Sequence, residues 1–474
     1  MATPYRILSS LALAAVSAVV LAEPRQAPAR AASQTALDRY VAQADPSFAW
    51  NVLRETRVNG ATSTLLEMTS QRWLTEKEVE RPLWTHWISV ARPDTVTSDV
   101  ALLFITGGSN GRKPPAGPPR WLLDAARETG TVTAELRLVP NQPVVFKDDP
   151  LRKPRSEDDF IAYTWDKFLR TGDERWPARL PMTKSAVRAM DAITAFSASS
   201  AGGNTAVRRF VVSGASKRGW TTWTTAAVDS RVIAIVPAVI DLLNVEPSFV
   251  HHYRAYGAWS DAVDDYVEHG IMDWMGTPQF RRLMEIEEPY EYRDRLTMPK
   301  LMLNASGDEF FLPDSAQFYF HELHGETHVR YVPNTGHSLD KSDAIETLRA
   351  FYASIVTNTP RPQMRWSFEA GGTIKVVAAS QPREVRLWQA TNPSARNFRL
   401  DALGPAYRSS PLEPSGPNTW IGRVQAPKAG WTAFFVEMTF RGAGKYPLKL
   451  TSGVRVLPDT LPFDAPRPKT SSAR

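Results

Sequence analysis

Apolar and polar residues alternate from Phe48 to Leu74 and again from Leu83 to Ala91, the two-residue period of antiparallel strands with one buried face. Asn59-Gly60 interrupts the first run and predicts a hairpin turn between Val52–Arg57 and Ser63–Met68. A short helix starting at Ala36–Tyr40 precedes them. At Val100 the pattern changes. Val100–Ile105 is continuously apolar, as a strand covered on both faces is. Helical spacing follows over Pro118–Glu128, then a strand over Thr131–Leu138, then helical spacing over Asp158–Leu169 and Lys184–Phe196. Val207–Val212, Val232–Val236, Lys300–Asn304 and Val329–Val332 read as further buried strands, with a helix over Asp343–Val356 after the last. Strands alternating with helices predict βαβ units and a mostly parallel sheet. Reactive groups in such sheets gather at the carboxyl ends of the strands.

Two regions break this rhythm. Residues 244–297 lie between two central strands and carry His251, His252, Tyr253, Trp259, Tyr266, Trp274, Tyr290 and Tyr292; an insertion there is expected to form a cap. Its aromatic content points to a bulky, partly apolar or sugar-like substrate. After Asn358–Pro362 the elements shorten. Arg365–Glu369, Thr373–Ala378, Glu384–Gln389, Trp431–Phe440 and Leu448–Val456 read as strands, with a turn at Gly371-Gly372. They predict a β-sandwich over 361–460 that carries no catalytic pattern. Residues 461–474, rich in Pro, Lys and Ser from Phe463, are expected to be disordered. No internal repeat is present.

The densest chemistry lies at Arg209-Phe-Val-Val-Ser-Gly-Ala-Ser-Lys-Arg-Gly-Trp220. A strand runs into Gly214-Ala215-Ser216 and a helix begins at Lys217, the layout of a nucleophile elbow. Helix and strand approach closely in that turn, which suits Gly214 and Gly219. Arg218 stands where the second glycine of the usual pattern would be, a variant in which a basic side chain borders the oxyanion. A nucleophilic serine needs a base, and the base needs an acid that fixes its tautomer. Asp308 follows one buried strand in Asn304-Ala-Ser-Gly-Asp308, and His337 follows the next in Pro333-Asn-Thr-Gly-His337. The order Ser216, Asp308, His337 is that of a serine hydrolase on an α/β sheet. Oxyanion donors are expected from the amide of Lys217 and from that of Gly108 or Ser109, in the loop after Val100–Ile105. Asp241 is the rival acid; Asp314 is expected to cap the helix after it.

Other clusters read as structural. His321-Glu-Leu-His324 lacks one residue of the zinc spacing H-E-x-x-H and is expected to end a helix at Gly325. His251-His252 with Asp264, Asp265, Glu268 and His269 reads as a cap surface, with a metal cluster as the alternative. Gly107-Gly108 lacks the Gly-Lys-Ser/Thr of a phosphate loop. No cofactor and no metal are expected.

Composition adds compartment and partner class. The 474 residues carry a net charge of +6, spread without a basic block, and 43% of them are hydrophobic. No nucleic-acid partner is expected. Arg6, the apolar run Ile7–Leu21 and the small residues before Glu23 read as a signal peptide over 1–22, cleaved near Ala22, then a disordered leader over 23–35. No membrane span is expected in the mature chain. There is no cysteine, which excludes thiol catalysis and a lipid-anchored cysteine. Together these predict a bacterial periplasmic or secreted protein acting on a small-molecule or polymeric acyl substrate.

Several stretches carry a family likeness: Leu37-Asp-Arg-Tyr-Val-Ala with Asp45-Pro-Ser-Phe-Ala-Trp50, Phe104-Ile-Thr-Gly-Gly-Ser-Asn110, Pro140-Asn-Gln-Pro143, Gly214-Ala-Ser-Lys-Arg-Gly-Trp220 and Tyr266-Val-Glu-His-Gly270. From Leu37 onward the sequence resembles the PhoPQ-activated pathogenicity-related protein family of the α/β-hydrolase superfamily. The resemblance implies an exported protein with an α/β-hydrolase domain over 36–360 and a C-terminal β domain. A serine followed by a basic residue is similar to glucuronoyl and acetyl-xylan esterases by analogy only.

Overall fold

The computed structural model describes Met1 and residues 34–467. The signal segment, the leader as far as residue 33 and the tail from 468 lie outside the described residues. Helix α1 (Ala36–Ala42) opens on Thr35, whose hydroxyl and the Asp38 carboxylate form a capping box. Strands β1 (Ala49–Val58), β2 (Ala61–Arg72) and β3 (Leu83–Pro93) form an antiparallel meander, with the first turn at Asn59-Gly60. Then come β4 (Val100–Ile105), α2 (Arg120–Thr129), β5 (Thr133–Leu136), α3 (Glu157–Thr171), α4 (Arg179–Ala198), β6 (Arg209–Ala215), α5 (Lys217–Val228) and β7 (Val232–Ala238). The insertion holds α6 (Val245–Tyr256), α7 (Asp264–Glu268) and α8 (Pro278–Glu287), and β8 (Lys300–Ala305), β9 (Thr327–Val332) and α9 (Ala344–Val356) follow. Helix α4 starts five residues before the apolar spacing signals it. Pro181 sits in its first turn, where an amide has no acceptor within the helix.

The nine strands form one sheet in the order β1-β2-β3-β5-β4-β6-β7-β8-β9. Every pairing from β5 to β9 is parallel. This is an α/β-hydrolase fold. Alternation along the central strands splits the core in two. Leu103, Ile105, Phe210, Val212 and Ile235 face the apolar layer shared with α3, α4, α5 and the insertion. Leu102, Val211, Ala234 and Val236 face the layer shared with α2, α9 and the C-terminal strands.

The C-terminal region forms two antiparallel sheets packed face to face. One joins β10 (Met364–Glu369), β11 (Thr373–Ala378), β14 (Pro414–Gly416) and β15 (Thr419–Arg423). The other joins β12 (Glu384–Asn392), β13 (Arg408–Pro411), β16 (Trp431–Phe440), β17 (Leu448–Thr451) and β18 (Arg455–Leu457). The single strand expected over Leu448–Val456 is therefore two. Strands β13, β14 and β15 escape the sequence pattern because they are short and interrupted by Pro, Ser and Gly. From Thr35 onward the chain is one compact unit. The tail, expected to be unstructured from 461, begins instead by docking. The Phe463 amide donates to the Arg254 carbonyl at 3.1 Å, and its ring lies against Gly257 on the insertion. Among the described residues no helix is long and apolar enough to cross a membrane.

Candidate active site

Ser216 sits between β6 and α5 with φ 58° and ψ −127°, a conformation that costs a non-glycine residue energy and lifts its side chain off the strand end. Its amide donates to the Ala238 carbonyl at 2.8 Å, which ties the turn to β7. The two glycines have steric reasons. A Cβ on Gly214 would lie 2.7 Å from the Arg218 carbonyl oxygen, and one on Gly219 would lie 2.9 Å from that of Ala238. The Lys217 amide is first in the helix, where an amide has no acceptor within the helix itself.

Arg218 points away from Ser216 and backs the loop after β4. Its guanidinium lies where a side chain on Gly107 would be. Nε donates to the Val139 carbonyl at 2.5 Å, and the two terminal nitrogens grip Glu157 at 2.8 and 2.7 Å. The Lys217 ammonium reaches Glu157 at 2.8 Å and Asp158 at 3.0 Å. Burial works to raise the Glu157 carboxyl, and the Arg218 and Lys217 cations more than reverse it, holding it well below the usual carboxylate range. Gln142 completes the link: it accepts from the Glu157 amide at 2.7 Å and donates to the Gly108 carbonyl at 3.2 Å. The loop bearing Gly108 and Ser109 is thus braced from the elbow itself. The basic side chain borders the loop of Gly107 and Gly108.

Asp308 and His337 come together. The imidazole Nδ1 donates to both Asp308 oxygens at 3.0 Å, which in the neutral ring leaves the lone pair on Nε2. Asp308 is buried, and it also accepts from the Phe310 amide at 2.8 Å and the Phe311 amide at 3.3 Å. The Phe310 ring packs on the imidazole at 4.3 Å between centroids. Nε2 is buried with no hydrogen-bond partner, and no bond joins it to Ser216. Phe310 and Phe311 also line a cavity with Ser216, which places the imidazole's neighbours beside the serine. The C-terminal region steadies both loops. The Leu400 amide donates to the Gly307 carbonyl at 2.9 Å, and Asn334 exchanges hydrogen bonds with the Tyr407 backbone at 2.8 and 3.0 Å.

A cavity at Ser216 is walled by Trp165, Trp220, Phe249, Tyr266, Phe310 and Phe311, with Asp158 and Arg179 among its polar groups. Phe249 and Tyr266 come from the insertion, which covers the serine as a cap does. Cap aromatics such as Phe249, Tyr253 and Trp259 pack on one another. Behind the cavity, Glu287 is fully buried and accepts from the Arg179 amide at 3.1 Å and from Trp165 Nε1. Burial pushes its carboxyl up to about 7 against the pull of Arg179.

The rival acids have other partners. Asp241 accepts from the hydroxyls of Tyr319 and Tyr331, and burial pushes its carboxyl up to about 7. Asp314 does not cap the short 3₁₀ turn it precedes. Its carboxylate takes Arg396 at 2.5 Å and His251 at 3.1 Å. Of the cluster read as a cap surface, Asp264 and Glu268 are exposed and His269 is half-buried, whereas His251 and His252 are interior. His252 is buried and accepts from the Ser260 amide at 3.1 Å, while His269 pairs with Asp159 at 2.9 Å.

A sequence profile of the family described as PhoPQ-activated pathogenicity-related protein matches residues 37–399. The chain belongs to that family. Among curated relatives, "Autocrine proliferation repressor protein A" of Dictyostelium discoideum is 38% identical over 458 residues, covering 90% of this chain and 92% of the relative. Solved structures similar to this family member include an acetyl xylan esterase from a Paenibacillus species (15% identity, TM-score 0.48, 67% of this chain and 92% of that one). A glucuronoyl esterase from Solibacter usitatus aligns with 13% identity and a TM-score of 0.39, over 68% of this chain and 90% of that one.

Sequence reasoning missed Glu157, Arg179 and Glu287 in this PhoPQ-related protein. Glu157-Asp158-Asp159 at a helix start reads as ordinary dipole complementation. Its only other signal was Lys217-Arg218, two cations in a tight turn that need an anion when buried.

Proposed function

We propose that this protein is an exported serine hydrolase that cleaves an ester or amide through an acyl-enzyme on Ser216, with His337 as base and Asp308 as its orienting acid. The observation that carries the reading is the His337 imidazole, bonded to Asp308 through Nδ1 and left with a buried, unpartnered Nε2. Ser216 Oγ attacks the acyl carbon while Nε2 takes its proton. Asp308 stabilises the imidazolium, which then protonates the departing alcohol or amine. A water repeats the sequence to release the acid. The Lys217 amide and that of Gly108 or Ser109 supply the oxyanion donors. The missing Ser216–imidazole bond is compatible with this, because such bonds often tighten only when substrate binds.

Export rests on the N-terminal pattern alone. One experiment addresses both parts: labelling of cell fractions with a fluorophosphonate probe. Wild-type protein is labelled in the periplasm or medium and Ser216→Ala is not. Equal labelling of the variant rejects the nucleophile, and labelling confined to the cytosol rejects export.

A second reading is a non-catalytic binding protein on a hydrolase scaffold. The open Ser216–imidazole pair favours it, and the Dictyostelium relative's name describes a repressor, not an enzyme. Folded wild-type protein inert to the probe supports it.

A further inference from the structure

We propose that a cleft between the cap and the C-terminal region binds an organic oxyanion, a carboxylate or a phosphate ester, through Arg396 and Arg399. Its lining includes Tyr256, Trp259 and Ser260 of the cap, both arginines from the segment between β12 and β13, and Phe463 of the tail. The site uses none of the triad residues, so it stands whether or not Ser216 is a nucleophile.

Arg396 is 3% exposed. One terminal nitrogen donates to Asp314 at 2.5 Å. Nε and the other terminal nitrogen are buried with no hydrogen-bond partner. Nε carries one N–H and that terminal nitrogen two, so three of an arginine's five donors are unused. The Asp314 carboxylate is shared, because it also takes His251 at 3.1 Å. Arg399 is held more loosely. Its Nε is buried without a hydrogen bond, the exposed Asp401 carboxylate lies 3.6 Å away, and its guanidinium stands 5.6 Å from the centre of the Tyr256 ring. Asp261 is the carboxylate of the lining, and it is exposed. Two guanidinium groups thus line the cleft, with one buried carboxylate behind them. The excess charge is felt nearby: burial, and after it the charge of Arg399, pushes the His252 imidazole down to about 3.

A buried donor without a partner costs free energy. Water pairs such donors but leaves the charge unmet, whereas an oxyanion answers both, through charge-assisted hydrogen bonds. The rings of Tyr256, Trp259 and Phe463 offer the body of the ligand an apolar, aromatic wall. The chemistry that fits is an anionic group on a ring or other apolar body. An occupant would sit against the loops of the acid and the base. The Ser260 hydroxyl donates to the Glu309 carbonyl at 3.1 Å, and the Glu309 carboxylate accepts from the His337 amide at 2.6 Å. Leu400, next to Arg399, holds the Gly307 carbonyl.

The full-length protein is titrated calorimetrically with benzoate, with phenyl phosphate and with neutral benzamide. At least one of the anions binds saturably at one site, about 10-fold or more tighter than benzamide, and less tightly as salt is raised. Arg396→Gln and Arg399→Gln each weaken that anion about 10-fold or more. Arg399 is partly exposed and has no buried counter-charge to abandon, so Arg399→Gln decides the matter if Arg396→Gln fails to fold. Ser216→Ala binds as the wild type does. Saturable binding of neither anion, equal affinity for benzamide, an affinity that Arg399→Gln leaves unchanged, or binding lost in Ser216→Ala each overturns the inference. None of these results bears on fluorophosphonate labelling of Ser216, which tests the hydrolase reading separately.

Discussion

Two glutamates flank the elbow, one on the loop side and one on the cap side, and they behave oppositely. Glu157 is half-exposed and gripped by three cationic nitrogens within 2.8 Å. Glu287 is fully buried, and its nearest cationic nitrogen, on Arg179, is 4.0 Å away. Burial tends to raise both carboxyls. On the loop side Arg218 and Lys217 overcome it and the charge is permanent. On the cap side Arg179 does not, and the carboxyl titrates near neutrality. Two cations at contact distance outweigh desolvation of a half-exposed carboxylate, and one guanidinium at 4.0 Å does not outweigh that of a fully buried one. The loop side is an electrostatic brace, and the cap side is a hydrogen-bonded wall.

The sharpest way to break this comparison is Glu287→Ala. It strips Trp165 and the Arg179 amide of their acceptor and leaves a guanidinium buried without a counter-charge. A loss of about 3 kcal/mol is expected in denaturant unfolding at pH 8; an unchanged midpoint removes Glu287 as the wall's anchor. Next is Arg218→Ala. Glu157 can be rehydrated, so stability falls by only about 1 kcal/mol, but the Gly107–Gly108 loop loses its backing. The expected result is a kcat about 100-fold lower with KM little changed. Wild-type kcat in this variant would detach the oxyanion loop from the elbow.

The smallest effect is the pH slope. Glu287 rises from its ordinary 4.5 to about 7 on folding. Between those values the folded state keeps a proton that the unfolded state has lost. The Glu287 contribution to stability therefore falls as pH rises through the window, by at most about 1.4 kcal/mol per pH unit, and is constant above it. Glu157 has the reverse sign: its contribution is present above the ordinary glutamate value and is lost as pH falls below it. Glu287→Gln should make the first slope shallower, leaving the share of Asp241 and Glu288, which burial also raises to about 7 and about 8, and should keep the second, read from unfolding free energies between about pH 2 and 8.

The legible part of the molecule was its local part. Alternation in β1–β3, the apolar runs of β4 and β6–β9, and the strand–Gly–x–Ser–helix turn each report on neighbours within a few residues. Asp308, after a glycine at a strand end, reads as the acid ahead of Asp241; the imidazole lies on Asp308, and Asp241 is enclosed by Tyr319 and Tyr331. The illegible part was the bracing. The Asn334 loop is held from Tyr407, the Gly307 turn from Leu400, and the elbow from Glu157 and Glu287. Each partner lies some sixty residues or more away in the chain, and none carries a pattern of its own.

By itself the sequence determined which segments become strands and helices and in what order their ends present a serine, an aspartate and a histidine. Hydrophobic period and turn chemistry act over a few residues, and that is all such decisions require. Only the tertiary structure decided which carboxylate meets the imidazole, which cations are neutralised and which rings wall the space beside Ser216. Those outcomes depend on distances of a few ångströms between groups far apart in the chain, and on how much water is excluded between them.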